Sequence, residues 1–594
     1  KLKDGATVYR TRGTYGGNIT DYTGDRASSS ASLPTVKLIL NAAVSEDANL
    51  ISFDIKDFYL NTPLDRREYM WLARDQCTAE SLAYFGDRLH FINDRVFVEV
   101  VKGMYSLPHA GRIAQLRLED HLAEHDYVKA THTPGLFRHK TRSSFFTLVV
   151  DDFLVKYQDP ADAAHLRATL EMQYEITVDD TTQRYLGLDI SYDRQARSIT
   201  ITMPGYVEQA LTKLDVDVAT ICRGRHDTPA PYTPPSYGKT EQPPVTDTTG
   251  LDPSAQTFIQ RAVGLLMYYS RAVDTTLYTT LCRLGSQQAK PTRRTRRDTD
   301  KMLAYAAAHP DGAITFHPSK MQLIVHSDTS HLSETEARSR LGGYEFLGNT
   351  TDDLTTQNNG SVDHVSGIID CKVTSAHTDE YASAFVNAQR ASNTRLTLED
   401  LGYPQGATPL IMDNATAQGV ITGSTIERRS KAVDRRYKWL DEQHRRGIFA
   451  VTWLSGKYNL ADFFTKNHSA AHHRAMRKVM LSPHNPHDPK GCVSYGRSTL
   501  RTTYRANART TTRRLQHHGH RGARDQRPLR YHRTPHESLP SSARARVHQR
   551  LACIRPTPEG PDHHGRRRPP TGIREAAREV DKPLQCPNCY ASIL

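Results

Sequence analysis

Between Phe145 and Tyr157 the chain reads FFTLVVDDFLVKY, two apolar runs that meet at adjacent carboxylates, Asp151 and Asp152. Runs of this length, rich in β-branched and aromatic residues, predict two strands joined by a tight turn that carries the acids. Neighbouring like charges beside residues that want burial are costly to ionise unless a cation sits between them. A further segment, LISFDIKDFYL, predicts a strand that ends at Asp54. Brought beside Asp151, Asp54 would complete a set able to hold two divalent cations, one activating a primer 3′-hydroxyl and one stabilising a leaving pyrophosphate. Taken alone, the hairpin also fits a plain Asp–Asp turn.

A second set of acids lies further along. LIVHSD reads as a strand ending in Asp328, GGYEFLG as its partner, and DEYASAFVNAQRA as a helix starting at Glu380, with Tyr381, Ala384, Phe385 and Ala388 on one face. TPLIMDN is a strand ending in Asp413, AVDRRYKWLDEQHRRG a helix and IFAVTWLSG a strand. LADFFTKNHSAAHHRAMRKVM predicts a final helix carrying Asp462. This order of strands and helices is that of the ribonuclease H fold, in which acids at strand ends and helix starts converge on one sheet edge. Each acid alone reads as a cap or turn residue. Four in order point to a shared cation site that activates water against an RNA phosphodiester.

The first set also resembles the reverse transcriptase of Ty1/copia-type LTR retrotransposons. FDIKDFYLNTPL is similar to that family's first motif, which would make Asp54 a metal ligand and Tyr59 the aromatic gate against a ribose 2′-hydroxyl. KGMYSLPHAGRIAQ resembles the template- and nucleotide-positioning motif, spanning Leu107, Pro108, His109, Ala110, Gly111 and Arg112. Two residues depart from the family there: Ser106 stands for a Gly and His109 for a Gln. VVDD stands where the family has its xxDD hairpin, and RYLGLDI and MPGYVEQAL follow as expected. The stretch VYRTRGTYGG resembles the end of the fingers, where Arg10 and Arg12 would meet triphosphate or stand solvated.

The likeness continues in HSDTSHLSETEARSRLGGYEF, DNATAQGV, RSKAVDRRYKWL and YNLADFFTK, which resemble the family's ribonuclease H region at the acids. Thr378 departs from a further acid that is common there, and the loop before Asp462 offers Ser455 and Lys457 where a His would shuttle protons. The resemblance implies a multidomain α+β and α/β chain: a right-hand polymerase of fingers, palm and thumb, then a ribonuclease H-like domain. The expected boundaries are 1–215 for fingers and palm, 216–320 for a Pro-rich linker and helical thumb or connection, 321–482 for the ribonuclease H-like domain, and 483–594 for a disordered Arg-rich tail.

Charge supports a separate tail. From Tyr495 onward the chain has 20 Arg and one Lys against seven Asp plus Glu, so the net charge of +13 resides there and the body is near neutral. The tail reads either as an arm for nucleic-acid phosphates or as read-through into sequence that never encoded a protein surface. The eight cysteines form no disulfide framework and fit a reducing compartment. Cys586 and Cys589 make one CxxC pair, half a zinc site, and the nearest candidate partners, His468 and His472, lie far earlier in the chain. No stretch approaches the roughly 18 apolar residues of a membrane span, and the start at Lys1 reads as that of a fragment of a longer product.

The expectation is therefore an RNA-directed DNA polymerase with ribonuclease H. Asp54, Asp151, Asp152, Asp328, Glu380, Asp413 and Asp462 carry its chemistry, with two Mg²⁺ or Mn²⁺ per site. Its expected partners are an RNA template, a nucleic-acid primer, dNTPs and an RNA–DNA hybrid, with no membrane and the oligomeric state left open. The resemblance implies an intracellular setting, a cytoplasmic virus-like particle with access to the nucleus. The alternative is a decayed or co-opted relic that binds RNA or hybrid without turnover.

Overall fold

Thr35 to Val44 are buried on every side of helix α1 (Leu33–Glu46), so this helix is a central pillar rather than a surface element. The Ser32 hydroxyl accepts the Thr35 N–H at its start, and Pro34 occupies the first turn, where its missing N–H costs nothing. The computed structural model describes residues 13–17, 20–217, 221, 226–234, 250–349, 354, 358–370, 373, 375–425 and 435–481, besides short backbone stretches near the two termini. Arg10, Arg12, Cys586, Cys589 and nearly all of the expected tail lie outside the described residues.

The chain is a mixed α/β protein, and three of its sheets frame the candidate sites. The first contains β1 (Asn49–Ile55), β4 (Tyr127–Lys129), β5 (Leu136–His139), β6 (Phe145–Val149), β7 (Asp152–Tyr157) and β8 (Ile176–Asp179), ordered β8-β1-β7-β6-β5-β4 and antiparallel throughout. Its inner face packs Phe53, Phe146 and Phe153 against Leu118 and Leu122 of α3 (Ala110–Glu124) and Leu166 of α4 (Pro160–Glu171). Before α3 come the short helix α2 (Phe58–Asn61) and the hairpin of β2 (Pro63–Ala73) with β3 (Arg95–Lys102).

The second sheet, ordered β9-β10-β11-β12, is made of β9 (Arg184–Tyr185), β10 (Leu188–Asp193), β11 (Ser198–Thr202) and β12 (Ala313–Phe316). Its last strand returns after the helix Tyr206–Lys213 and then α5 (Pro253–Ala272), α6 (Tyr278–Gln287) and α7 (Arg293–Ala308), so Ile201 pairs with Ile314 across more than a hundred residues of sequence. The helical segment is thereby tied to the strands that precede it.

The third sheet combines β13 (Gln322–Glu334), β14 (Arg338–Gly348) and β15 (Asp363–Ile368), all antiparallel, with two parallel strands, β16 (Thr408–Met412) and β17 (Phe449–Trp453). The order is β15-β14-β13-β16-β17. Helix α8 (Ala376–Asp400) crosses its face, and α9 (Ala415–Thr422), α10 (Lys438–Arg445) and α11 (Ala470–Leu481) follow. Helix α1 touches β6 and β7 of the first sheet, β11 and β12 of the second, and α8. Polar bonds cross the same junction: Lys37 donates to the Arg271 carbonyl at 2.8 Å, and the Thr133 hydroxyl to Asp400 at 2.7 Å.

Candidate functional site

In the first cluster, strand register places the acids. Asp54 pairs directly with Asp152 across β1 and β7, and residues directly opposite in an antiparallel pair project from the same face. Val149 pairs with Asp152, which leaves Val150 and Asp151 as a two-residue hairpin turn. Such turns need a positive φ at their first residue, and Val150 has φ 63°. A β-branched residue in that region is strained, by about 1–2 kcal/mol.

Electrostatics mark the same place. Burial pushes the Asp152 carboxyl up to about 7, helped by the charges of Asp151 and Asp54, and Asp152 shares a hydrogen bond with Asp54. Two carboxyls in contact share a proton when no cation separates them, so the group is poised to exchange that proton for a divalent ion. That is the chemistry expected of a cation site.

Around it lie the other residues singled out from the sequence. The Tyr59 ring is half-buried and close to Gly111, where an added Cβ would stand 3.6 Å away, in ordinary contact. Burial raises the Tyr59 hydroxyl pKa, with Asp151 adding to the shift. Gly103 is more restrictive, because a Cβ there would lie 2.5 Å from the Tyr59 carbonyl oxygen. Tyr59 and Gly111 line a recess with Ser29, Phe58, Gln115 and Val150. Gln115 fixes one wall by accepting the Ser29 N–H and donating to the Ser29 carbonyl, both at 2.8 Å. Nothing in the sequence motif had singled out Gln115, although its position one turn after Gly111 on α3 was a usable signal.

Pro108 is half-buried beside Gly17, and Arg112 reaches Asp25 at 3.3 Å. His109 has a different environment. It is 1% exposed, stacked on Tyr22 with centroids 4.5 Å apart, and its Nε2 is 3.6 Å from Glu68. Burial lowers its pKa. Ser106, the residue that departs from a family Gly, holds φ 67° in the left-handed region, where glycine is free of strain and serine is not.

The second cluster forms where the third sheet meets the loop after β17. One carboxylate oxygen each from Asp328, Glu380 and Asp413 lies within 4.8 Å of the others. Asp328 is on β13, opposite Gly342 of β14. A Cβ at Gly342 would stand 2.6 Å from the Ala461 carbonyl oxygen, so only glycine lets the Leu460–Phe464 segment settle on the sheet. That segment is a 3₁₀ turn separate from α11, and it carries Asp462 ahead of the final helix rather than on it. Asn459 caps it and donates to the Ser327 carbonyl, while the Leu460 N–H donates to His326 Nδ1.

Helix α8 begins at Ala376, a turn before Glu380. It is bolted to the sheet by polar bonds. Ser383 donates to the Asp328 carbonyl at 2.9 Å, and Asn387 donates to Ser327 Oγ and to the Gly342 carbonyl, each at 3.0 Å. Thr329 donates to Glu380 Oε1 at 3.0 Å, and Thr465 donates to Asp328 Oδ2 at 3.0 Å. Glu380 Oε2 is buried with no hydrogen-bond partner. Burial raises the carboxyl pKa of Asp328, with Asp462 and Asp413 adding to it, and burial followed by the Asp328 charge raises that of Glu380. Asp413 is raised by burial and by Asp462. An orphaned buried oxygen among mutually repelling acids fits a divalent cation.

Four neighbours had no part in the sequence-based expectation of this cluster. Lys466, four residues on, pairs with Asp462, and its charge also reaches Asp328 and Asp413. Gly456 lets the loop close on Asp413. His468 and His472, read from sequence as remote partners for Cys586 and Cys589, instead each bring a ring nitrogen within 4.8 Å of an Asp462 oxygen.

The reverse transcriptase (RNA-dependent DNA polymerase) family matches residues 11–224. The retrovirus-related Pol polyprotein from transposon TNT 1-94 of Nicotiana tabacum is 21% identical over 440 residues, which is 73% of this chain and 31% of that protein. The chain thus spans about a third of the length of the curated relative it matches. Among solved structures, RNase H1 of Halobacterium salinarum aligns with 24% of this chain and 94% of its own, at 14% identity and a TM-score of 0.18. The N-terminal RNase H domain of Rv2228c from Mycobacterium tuberculosis aligns with 24% of this chain and 91% of its own, at 11% identity and the same TM-score of 0.18.

Proposed function

Because residues 11–224 are the reverse transcriptase region of a Ty1/copia-type retrotransposon Pol segment, we propose that the chain copies RNA into DNA at its first carboxylate cluster and cleaves the RNA of the resulting hybrid at its second. The observation that carries this reading is the register pairing of Asp54 with Asp152 beside the Asp151 turn. In this reading the first sheet with α3 and α4 is the palm, the β2–β3 hairpin belongs to the fingers, and α5 to α7 form the thumb or connection. The third sheet with α8 to α11, three antiparallel strands followed by two parallel ones, is then the ribonuclease H-like domain.

Asp54 and Asp151, with Asp152 at their side, would hold Mg²⁺ or Mn²⁺ in the first site, and Asp328, Glu380, Asp413 and Asp462 would do so in the second, two ions in each. Bound there, such ions supply Lewis-acid stabilisation of charge on the attacking and leaving oxygens. The remaining work falls to the protein. Tyr59 walls the recess beside Gly111 and would be the residue that screens the sugar 2′-position. Gly111, Pro108 and Arg112 at the start of α3 would position nucleotide and template, with Arg10 and Arg12 meeting triphosphate. His109, packed under Tyr22, would act by supporting that surface from beneath.

At the second cluster, Thr329 and Thr465 orient Glu380 and Asp328 by donating hydrogen bonds to them. Lys466 offsets negative charge at Asp462. His472, exposed beside Asp462, can take up a proton next to the scissile phosphate, a role for which the loop before Asp462 offers no His.

Ser106 favours a second reading. A serine held at φ 67° in the positioning motif is a departure that a relic without selection for turnover would tolerate, and such a chain would bind RNA or hybrid without extending a primer. One assay separates the two. The chain is incubated with primed RNA, Mg²⁺ and dNTPs; the first reading predicts extension that disappears in Asp151→Asn, and the second predicts binding with no extension.

A further inference from the structure

The last turn of α3 carries His121 and Glu124, and His125 is its C-cap, a spacing of three and four residues that brings all three to one side of the helix end. One ligating atom of each lies within 4.8 Å of the other two. This group is apart from both carboxylate clusters, and no step proposed above uses it.

The hydrogen bonds around the two imidazoles fix which nitrogens are free. His121 Nε2 lies 2.7 Å from the Thr169 carbonyl oxygen of α4, and His125 Nδ1 lies 2.9 Å from the His121 carbonyl oxygen. A carbonyl oxygen only accepts, so each ring must donate from that nitrogen and keep a lone pair on the other. His121 Nδ1 is therefore an acceptor, and it is buried without any partner in a residue only 4% exposed. Metal-binding histidines have this arrangement, one N–H held by a backbone carbonyl and the opposite nitrogen presented to the ion. Here both histidines have one ring nitrogen held by a backbone carbonyl, next to an exposed carboxylate.

We propose that His121, Glu124 and His125 form a transition-metal site of the Zn²⁺ class, with a fourth position open to water or to a ligand from a partner. Two imidazole nitrogens and one carboxylate suit Zn²⁺, Co²⁺ or Ni²⁺, whereas all-oxygen clusters such as Asp328, Glu380 and Asp413 suit Mg²⁺ or Mn²⁺. Ligand atoms on a tetrahedral zinc at 2.0–2.1 Å are about 3.3 Å apart. Glu124 is exposed and can rotate toward the two imidazoles, each of which a backbone carbonyl holds. An ion here would clamp the end of α3 to α4 through the His121–Thr169 bond. The other end of α3 bears Gly111 and Arg112.

The test is Co²⁺ binding to the full chain, stripped with a chelator and then held in excess Mg²⁺ to fill the carboxylate clusters. Visible absorption of tetrahedral Co²⁺ is followed in the parent chain, in His125→Gln and Glu124→Gln, and in His472→Gln as a control for the histidines near Asp462. The expected result is an absorption band, bleached by Zn²⁺, whose affinity is at least about tenfold weaker in His125→Gln and retained in His472→Gln. Glu124 is exposed, so Glu124→Gln weakens binding without disturbing the fold and serves if His125→Gln does not fold. Equal Co²⁺ affinity in the parent, His125→Gln and Glu124→Gln chains, or no band in the parent, would overturn the proposal.

Discussion

Gly456 approaches Asp413 so closely that a methyl group on its α-carbon would stand 2.5 Å from Oδ2. The loop after β17 thus closes over the second carboxylate cluster with no room for a side chain at residue 456 unless the Asp413 carboxylate shifts. Trp453 adds a second tie, its indole N–H donating to the Asp413 carbonyl at 2.9 Å. Gly456→Ala should push the Asp413 carboxylate out of the set. The expected outcome is a fall of at least tenfold, about 1.4 kcal/mol of transition-state stabilisation, in cleavage of labelled RNA within a hybrid. Primer extension by the same preparation should be unchanged.

Tyr59 makes a different prediction. Its ring lines the recess beside Gly111, where a Cβ would stand in ordinary contact with it. Tyr59→Val should therefore admit ribonucleotides. The ratio of kcat/KM for dNTP over rNTP is expected to drop by about tenfold or more, a loss of steric exclusion worth roughly 1.4 kcal/mol. An unchanged ratio would remove Tyr59 from the role of sugar gate.

Lys37 predicts the pH dependence of stability. It is 1% exposed in α1, and burial lowers its pKa from 10.5 to about 7, partly offset by Asp363. Between pH 7 and 10 the unfolded chain holds a proton on this nitrogen that the folded chain has lost. Stability therefore rises with pH across that window, by at most about 1.4 kcal/mol per pH unit from this group. Below pH 7 both states are protonated and the cost of burying the charge is fully present. Urea unfolding at pH 7 and pH 9.5 should show this rise in the parent chain and a smaller one in Lys37→Met, which keeps the stem but not the amine.

These residues also show what the sequence could reveal. The acids of both clusters were legible because a strand has a period of two and ends where polarity changes, which fixed Asp54, Asp151, Asp328 and Asp413 in place. Helix α1 left no such signal: a helix buried all round has no apolar stripe to detect. Strand β12 is four residues long and pairs with β11 only after a run of intervening helices, so its partner is a tertiary fact. Asp462 was expected on the last helix because LADFFTK continues smoothly into it. Asn459 instead caps a separate 3₁₀ turn, held to β13 through Ser327 and His326. His468 and His472 depend on the same docking. The i, i+3, i+4 spacing of His121, Glu124 and His125 was visible in HLAEH, but the carbonyls that orient the rings come from α4 and from the helix backbone itself.

The central claim is that one chain carries two independent reaction centres, and reciprocal inactivation tests it most directly. Primer extension and hybrid cleavage are measured side by side in the parent chain, Asp54→Asn and Asp413→Asn. Asp54→Asn should abolish extension and leave cleavage within about twofold of the parent, and Asp413→Asn should do the reverse, since distant sites without shared partners act independently. If either substitution removed both activities from a folded chain, or neither activity fell, the assignment of two separate sites would be wrong.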